Sequence, residues 1–236
     1  MILYVGDIHG GPAGLAWLDE WAVRHSYDWI IQVGDLAVFW PGSSCPILHY
    51  FKKRSRRKGA FPTWITCGGN HDVWPRLLSL ERDQATDLVQ LAPGLLYTSR
   101  GSIHLLDDIP HLFLGGAEST DKHVRIEGKS WWSEETPTYR DFCRFQENLE
   151  AFRPQVVVTH EAPLRVPIWK EGRKDFSTPK MLERALSLSS YKPPVWVFGH
   201  HHLLDHWKVE ETDFYCCGEG AQAYTDTWEQ LKWPHS

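Results

Sequence analysis

The sequence has little with which to build a disulfide scaffold, cross a bilayer or coat a polyanion. Its five cysteines, Cys45, Cys67, Cys143, Cys216 and Cys217, are odd in number and include no CxxC pair. A thiolate zinc site is therefore not expected, and reduced thiols in a cytoplasm are. No apolar stretch approaches the length of a membrane span, so no membrane association is expected. Met1 runs directly into an apolar segment and then Asp7, without the basic and apolar regions of a secretory leader, which again points to a cytoplasmic location. A net charge of -5 argues against a dominant polyanion-binding surface. Repeats, low-complexity tracts and long flexible linkers are missing too. What remains is 236 residues, 42% apolar and 23% charged, the make-up of one globular domain over 1–236.

Five apolar runs dominate that chain, and each ends in a polar residue able to bind a metal. Tyr4-Val5-Gly6 leads to Asp7 and His9, and Trp29 to Gly34 leads to Asp35. Trp64-Ile65-Thr66 leads through two glycines to Asn70, Val156 to Thr159 leads to His160, and Val195 to Gly199 leads to His200 and His202. Short β-branched and aromatic runs bounded by Gly read as buried strands, and sites in open α/β sheets lie beyond the carboxyl ends of strands. Helical patterns fill Pro12 to Arg24, Cys45 to Lys58, Trp74 to Arg82, Thr138 to Phe152 and Thr178 to Ser189. In Thr138 to Phe152 the apolar Phe142, Phe145, Leu149 and Phe152 share one face. Leu95 to Leu114 reads as several short strands, and Leu203 to Cys217 as a hairpin around Glu210 to Asp213. An α/β chain with two sheets and helices outside fits better than a simple doubly wound sheet.

The donors Asp7, His9, Asp35, Asn70, His160, His200 and His202 combine carboxylates, imidazoles and one amide. That chemistry suits Mn, Fe or Zn rather than a soft metal. Seven side chains exceed one tetrahedral ion and suit two divalent metal ions roughly 3.5–4 Å apart. Glycines beside the donors, Gly6, Gly34, Gly69 and Gly199, let the backbone turn sharply and approach an ion closely.

Asp7-Ile8-His9-Gly10, Gly34-Asp35, Gly69-Asn70-His71-Asp72, Thr159-His160-Glu161-Ala162-Pro163 and Gly199-His200-His201-His202 together resemble the ordered motifs of the calcineurin-like metallophosphoesterase superfamily. The resemblance implies a two-sheet β-sandwich flanked by helices, which some schemes class as α+β. It implies that Asp7, His9 and His202 bind one ion and Asn70, His160 and His200 the other, with Asp35 bridging them. Manganese is the first expectation, with Fe or Zn as alternatives. The implied reaction is in-line attack by a hydroxide held between the ions on a phosphate ester. His71 is the implied group that touches the phosphate or protonates the leaving oxygen, and Asp72 is expected to orient His71.

One motif departs from the protein Ser/Thr phosphatase branch, which continues GD into GDxxDRG. Here Val38 and Phe39 stand where that branch has Asp and Arg; Val38 cannot hydrogen-bond, and Phe39 cannot grip a phosphate as Arg would. The expected substrate therefore leans toward phosphodiesters such as nucleotides or nucleic-acid ends. A phosphomonoesterase acting on small molecules or proteins is the alternative, and a non-catalytic metal-binding scaffold a third. Arg125 is a candidate phosphate clamp, with a surface ion pair as the equal alternative. Trp131-Trp132 is expected to pin its long loop to the core rather than stack on a base. Lys52 to Lys58 reads as a solvated helix end rather than a nucleic-acid track. His201 is expected to be structural, since it points opposite to its neighbours in an extended segment.

Overall fold

The computed structural model describes residues 1–40, 45–169, 172–220 and 222–231. The chain runs β1 (Ile2–Val5), α1 (Pro12–Arg24), β2 (Trp29–Gln32), α2 (Pro46–Arg54), β3 (Thr63–Thr66) and α3 (Trp74–Leu78). Next come β4 (Leu88–Ala92), β5 (Leu95–Thr98), β6 (Ile103–Leu106), β7 (Ile109–Leu114), α4 (Tyr139–Phe152) and β8 (Val156–Thr159). It closes with α5 (Ser177–Leu188), β9 (Val195–Phe198), β10 (Asp205–Val209), β11 (Thr212–Cys216), β12 (Ala223–Tyr224) and β13 (Gln230–Leu231). Among the described residues no helix is long and apolar enough to cross a membrane.

The strands form two mixed sheets flanked by helices. One has the order β13-β12-β1-β2-β3-β5-β4 and the other β10-β11-β9-β8-β7-β6. In each, four adjacent strands are parallel and the outer ones antiparallel. Alternation along β1 explains the layering. Ile2 and Tyr4 face the other sheet, packing with Ile31, Ile65, Phe113, Val158 and Val197. Leu3 and Val5 face outward against Leu15 and Leu18 of α1 and Phe51 of α2. On the far side, Trp196, Phe198 and Phe214 pack against Phe142 and Phe145 of α4 and Leu182 of α5. Strands covered on both faces carry no polar alternation, which is why they read as continuous apolar runs.

Local signals set the helix boundaries. α1 and α2 each begin at a proline, where the missing N–H is not needed. Thr138 and Asp141 form a capping box at α4, with Thr138 Oγ1 accepting from Asp141 N at 3.3 Å and Asp141 Oδ2 from Thr138 N at 2.8 Å. Phe152 departs from expectation. It is 58% exposed, because α4 ends there and the chain leaves through left-handed Arg153. Strands β4, β12 and β13 escaped the sequence pattern: the last two are two residues each, and β4 is a half-exposed hairpin partner with a register shift at Gln90/Ala92.

The basic run from Lys52 to Lys58 is not uniformly solvated. Arg54 is 3% exposed and its Nε lies 2.8 Å from Asp19 Oδ2, while Asp19 also accepts from Trp64 Nε1 at 2.9 Å. Arg54 therefore fastens α2 to α1 and β3. Removing one partner of a buried pair strands the other charge, so Arg54→Ala is expected to cost about 3–5 kcal/mol in urea denaturation. Lys52→Ala should stay within about 0.5 kcal/mol. Equal effects would refute this division of the run.

His111 supplies a second check. It is buried between the sheets, its Nδ1 donating to Ile109 O at 2.8 Å and its Nε2 2.9 Å from Tyr4 Oη. Burial pushes its pKa down from 6.5 to about 4. The unfolded chain thus takes up this proton before the folded chain does. The stability it contributes is complete above pH 6.5 and lost as pH falls toward 4. Between those limits His111→Gln should flatten the acid slope of unfolding stability by up to about 1.4 kcal/mol per pH unit. An unchanged slope would contradict the assignment.

Candidate metal centre

The parallel strands deliver their carboxyl ends to one edge, where the two sheets meet. Asp7 follows β1, Asp35 follows β2, Asn70 follows β3, His160 follows β8, and His200 and His202 follow β9. Hydrogen bonds tie these ends together: His200 N donates to Asp7 Oδ1 at 3.2 Å across the two sheets, and His71 N to Asp35 Oδ1 at 2.6 Å within one. Turning sharply out of the strands forces left-handed backbone on non-glycine residues. His9, Asp35, His200 and His202 have φ of 49°, 60°, 67° and 54°. Such strain concentrates where function over-determines the geometry. The glycines serve close approach, since a Cβ on Gly69 would overlap Asp35 Oδ1 and one on Gly199 would overlap Asp7 Oδ1.

The seven donors lie in two clusters. In the first, His202 Nε2 is 3.2 Å from Asp7 Oδ2, His9 Nε2 is 3.8 Å from the same oxygen, and the two imidazole nitrogens are 3.2 Å apart. In the second, His160 Nε2 is 3.0 Å from Asn70 Oδ1 and 3.5 Å from Asp35 Oδ1, with the His200 ring centred 5.0 Å away. Asp35 belongs to both neighbourhoods, since its oxygens also lie within 4.8 Å of ring nitrogens of His9 and His71.

Outer hydrogen bonds fix which nitrogen faces inward. Val33 O lies 2.9 Å from His160 Nδ1, and a carbonyl only accepts. Nδ1 must therefore carry hydrogen, and in the neutral ring Nε2 turns a lone pair on two oxygens. At His202, Glu219 Oε2 lies 3.2 Å from Nδ1 as an ion-pair contact on the outer side. Asp7 Oδ2 is buried without a hydrogen bond of its own. Lone pairs aimed at one another in this way need a shared proton or a cation between them. The residues thus fit a divalent ion in each cluster.

The electrostatics agree. Burial works against the His160 charge, yet Asp35 and Asp7 raise its pKa to about 9. Burial likewise disfavours the Asp35 carboxylate, but His160, His71 and His9 hold it well below the usual range. Residues 1–204 match the family described as calcineurin-like phosphoesterases. The chain belongs to that family. It is similar in fold to TT1561 of Thermus thermophilus, at 13% identity over 98% of this chain and 96% of that one, with a TM-score of 0.63. It is also similar to GAP50, the anchor in the inner membrane complex of Plasmodium, at 11% identity over 99% and 75%, with a TM-score of 0.54. At these identities the likeness is one of fold alone. No curated protein matches the sequence.

His71 lies between Asp35 and Arg125 beside the donors of this calcineurin-like phosphoesterase. Its Nε2 lies 3.9 Å from Asp35 Oδ2, and Arg125 approaches from the other side, with Nη1 and Nη2 each 3.2 Å from a ring nitrogen. A neutral imidazole has one acceptor, so one of these is a hydrogen bond and the other a contact. Asp121 steadies Arg125 through a 2.7 Å ion pair. Trp40 packs beside His71 at 5.6 Å between centroids, and Trp132, 7% exposed, meets Trp40 edge-on at 6.0 Å. His9, Gly10, Ala37, Trp40, Pro46 and His71 line a cavity of about 340 Å³ there.

The expectation that Asp72 orients His71 is corrected. Asp72 Oδ1 accepts from Val38 N and Oδ2 from Gly69 N, both at 2.7 Å. Its carboxylate turns inward to hold the β2 and β3 loops together, leaving Arg125 as the neighbour of His71. The His201 side chain is buried and bonds Glu161 Oε1 at 2.7 Å, and Glu161 Oε2 lies 3.8 Å from His200 Nε2.

Sequence reasoning missed Glu219, although it follows the β11 end inside Gly218-Glu219-Gly220, the same pattern of strand, glycine and donor. It also gave Glu161, Ser119 and Glu135 no role of their own, although Ser119 stands in the Gly-rich segment that follows β7. Loss of Asp72 strands two buried N–H groups. Asp72→Ala is expected to lower unfolding stability by about 3 kcal/mol in urea; an unaltered midpoint with activity lost would return Asp72 to a role at His71.

Proposed function

We propose that this chain is a metal-dependent phosphoesterase that hydrolyses a phosphate ester over two divalent ions, with phosphodiesters such as nucleotides or nucleic-acid ends favoured. The observation that carries this is the convergence of inward lone pairs from Asp7, His9 and His202 on one side of Asp35 and from Asn70, His160 and His200 on the other. Those two sets would each hold one ion, with Asp35 shared. Manganese suits the mixture of carboxylate, amide and imidazole, and Fe or Zn are alternatives. Two such ions supply charge neutralisation for phosphoryl oxygens and acidify water.

The chain's own residues do the rest. Burial and the charges of Arg125, His9 and His160 outweigh Asp35 and keep the His71 pKa below its ordinary value. The ring is thus neutral until a phosphate group brings negative charge beside it. The proton His71 then holds is placed for a leaving oxygen. Arg125, on the same ring, offers a planar fork to a phosphoryl oxygen. The cavity beside Trp40 supports the diester preference, because it gives a second ester substituent an apolar place to lie.

A specific observation favours a monoester instead: Arg125 is positioned to neutralise a terminal dianion. Chelator-treated protein restored with Mn and given nitrophenyl mono- and diesters separates the two. Mn-dependent turnover with the diester faster is expected. A faster monoester reverses the preference, and no metal-dependent turnover of either leaves only a binding scaffold. His71→Ala should lower kcat by about 10²–10⁴-fold while both ions still bind. Loss of an ion in that variant would make His71 a ligand.

A further inference from the structure

Asn70 is a member of the donor set whose usefulness depends on which end of its amide faces in. Its amide carries an oxygen that can hold a cation and a nitrogen that cannot. The two ends are nearly the same size, so packing does not choose between them. Hydrogen bonds must choose, and two residues outside the donor set do so.

Asn70 is 3% exposed, with Nδ2 donating to Ser119 Oγ at 3.1 Å and Oδ1 turned to His160 Nε2. Ser119 is committed in turn. Its N donates to Glu135 Oε1 at 2.5 Å and its Oγ to Glu135 Oε2 at 2.8 Å. An ionised carboxylate has no proton to give, so the serine hydroxyl spends its only hydrogen on Glu135. What Ser119 Oγ offers Asn70 is a lone pair, and the amide must answer with its NH₂. Were the amide turned over, its oxygen would face the lone pairs of Ser119 and its NH₂ would point at the metal centre.

The relay has a rigid base. Arg100 Nη2 donates at 2.8 Å to both Glu134 O and Glu135 O, and its Nε to Gly115 O at 3.0 Å. The same guanidinium lies 3.6 Å over the Trp74 ring, whose Nε1 donates to Gly69 O at 2.7 Å. Both ends of the chain of bonds are thereby fixed, one at Glu135 and one beside Asn70.

We propose that Glu135 and Ser119 are positioning residues that set the orientation of the Asn70 amide, so that Oδ1 rather than Nδ2 faces the metal centre. This rests on the metal-binding reading above and extends it to residues that touch neither ion. It also gives the loop after β7 two duties, since Ser119, Arg125 and Glu135 all belong to it.

The test is a double-mutant cycle read by Mn²⁺ calorimetry on chelator-stripped protein, with urea denaturation of each metal-free form. Burial lifts the Glu135 pKa to about 7 against the Ser119 donors, so titrations belong at about pH 8.5, where its carboxylate is charged. In Ser119→Ala the amide is free to turn, and one of the two ions should bind about 10–100-fold more weakly. In Asn70→Asp both terminal atoms are oxygens and no wrong orientation exists. Adding Ser119→Ala to that background should change affinity by less than about threefold. Equal losses on both backgrounds mean that Ser119 merely supports the fold, and overturn the relay. Glu135→Gln is the second arm, because its amide can donate to Ser119 Oγ and release the direction. It should reproduce the Ser119→Ala loss, and wild-type affinity would overturn the proposal. Failure of the wild type to bind Mn²⁺ would sink the metal reading itself, a distinct result from wild-type binding with an unaffected Ser119→Ala.

Discussion

Two carboxylates, four imidazoles and an amide with their lone pairs turned on one another form the constraint on which this molecule is built. Left alone, such groups repel or steal protons, as the raised pKa of His160 and the depressed one of Asp35 record. Burying Asp7 and Asp35 without full pairing is costly in any protein interior. The sandwich can bear that cost because apolar packing covers both faces of both sheets, and the polar strand-end residues Gln32 and Thr159 are hydrogen-bonded. Strained backbone recurs in the residues that follow, where His9, Asp35, His200 and His202 adopt left-handed conformations.

A second layer turns a cluster into a site. Val33 O and Glu219 each face one imidazole nitrogen and so present the other inward, while Ser119 does the same for the amide. Glu161 is held ionised, near a pKa of about 2: burial opposes the charge, but His201 and Arg173 overcome it. It stands behind His200 as a fixed negative charge. These groups share one task, which is to remove choices of tautomer and rotamer before any ligand arrives.

Asp72 illustrates how position in a motif can mislead. Next to a histidine in a sequence motif a carboxylate invites an orienting role. In the folded chain its oxygens meet the N–H groups of Val38 and Gly69, which the sharp turns after β2 and β3 free from the strand ladders. Backbone donors bared by a turn claim the nearest acceptor, and His71 is left to Arg125, which lies 54 residues away in sequence.

Sequence alone determined the strands that carry the site and the order of their donors. A strand buried on both faces is largely apolar, and a polar residue after Gly at its end is left at the sheet edge. The family and the strands that lead to the candidate site were legible for that reason. The tertiary structure decided what depends on contacts between distant segments. It selected Arg54 from a run of like charges by placing Asp19 beside it. It sent Asp72 to the backbone and Arg125 to His71, and brought Ser119 and Glu135 behind Asn70. Hydrogen-bond direction leaves no periodic trace in a sequence, because it is settled by whichever donor or acceptor the fold brings within about 3 Å.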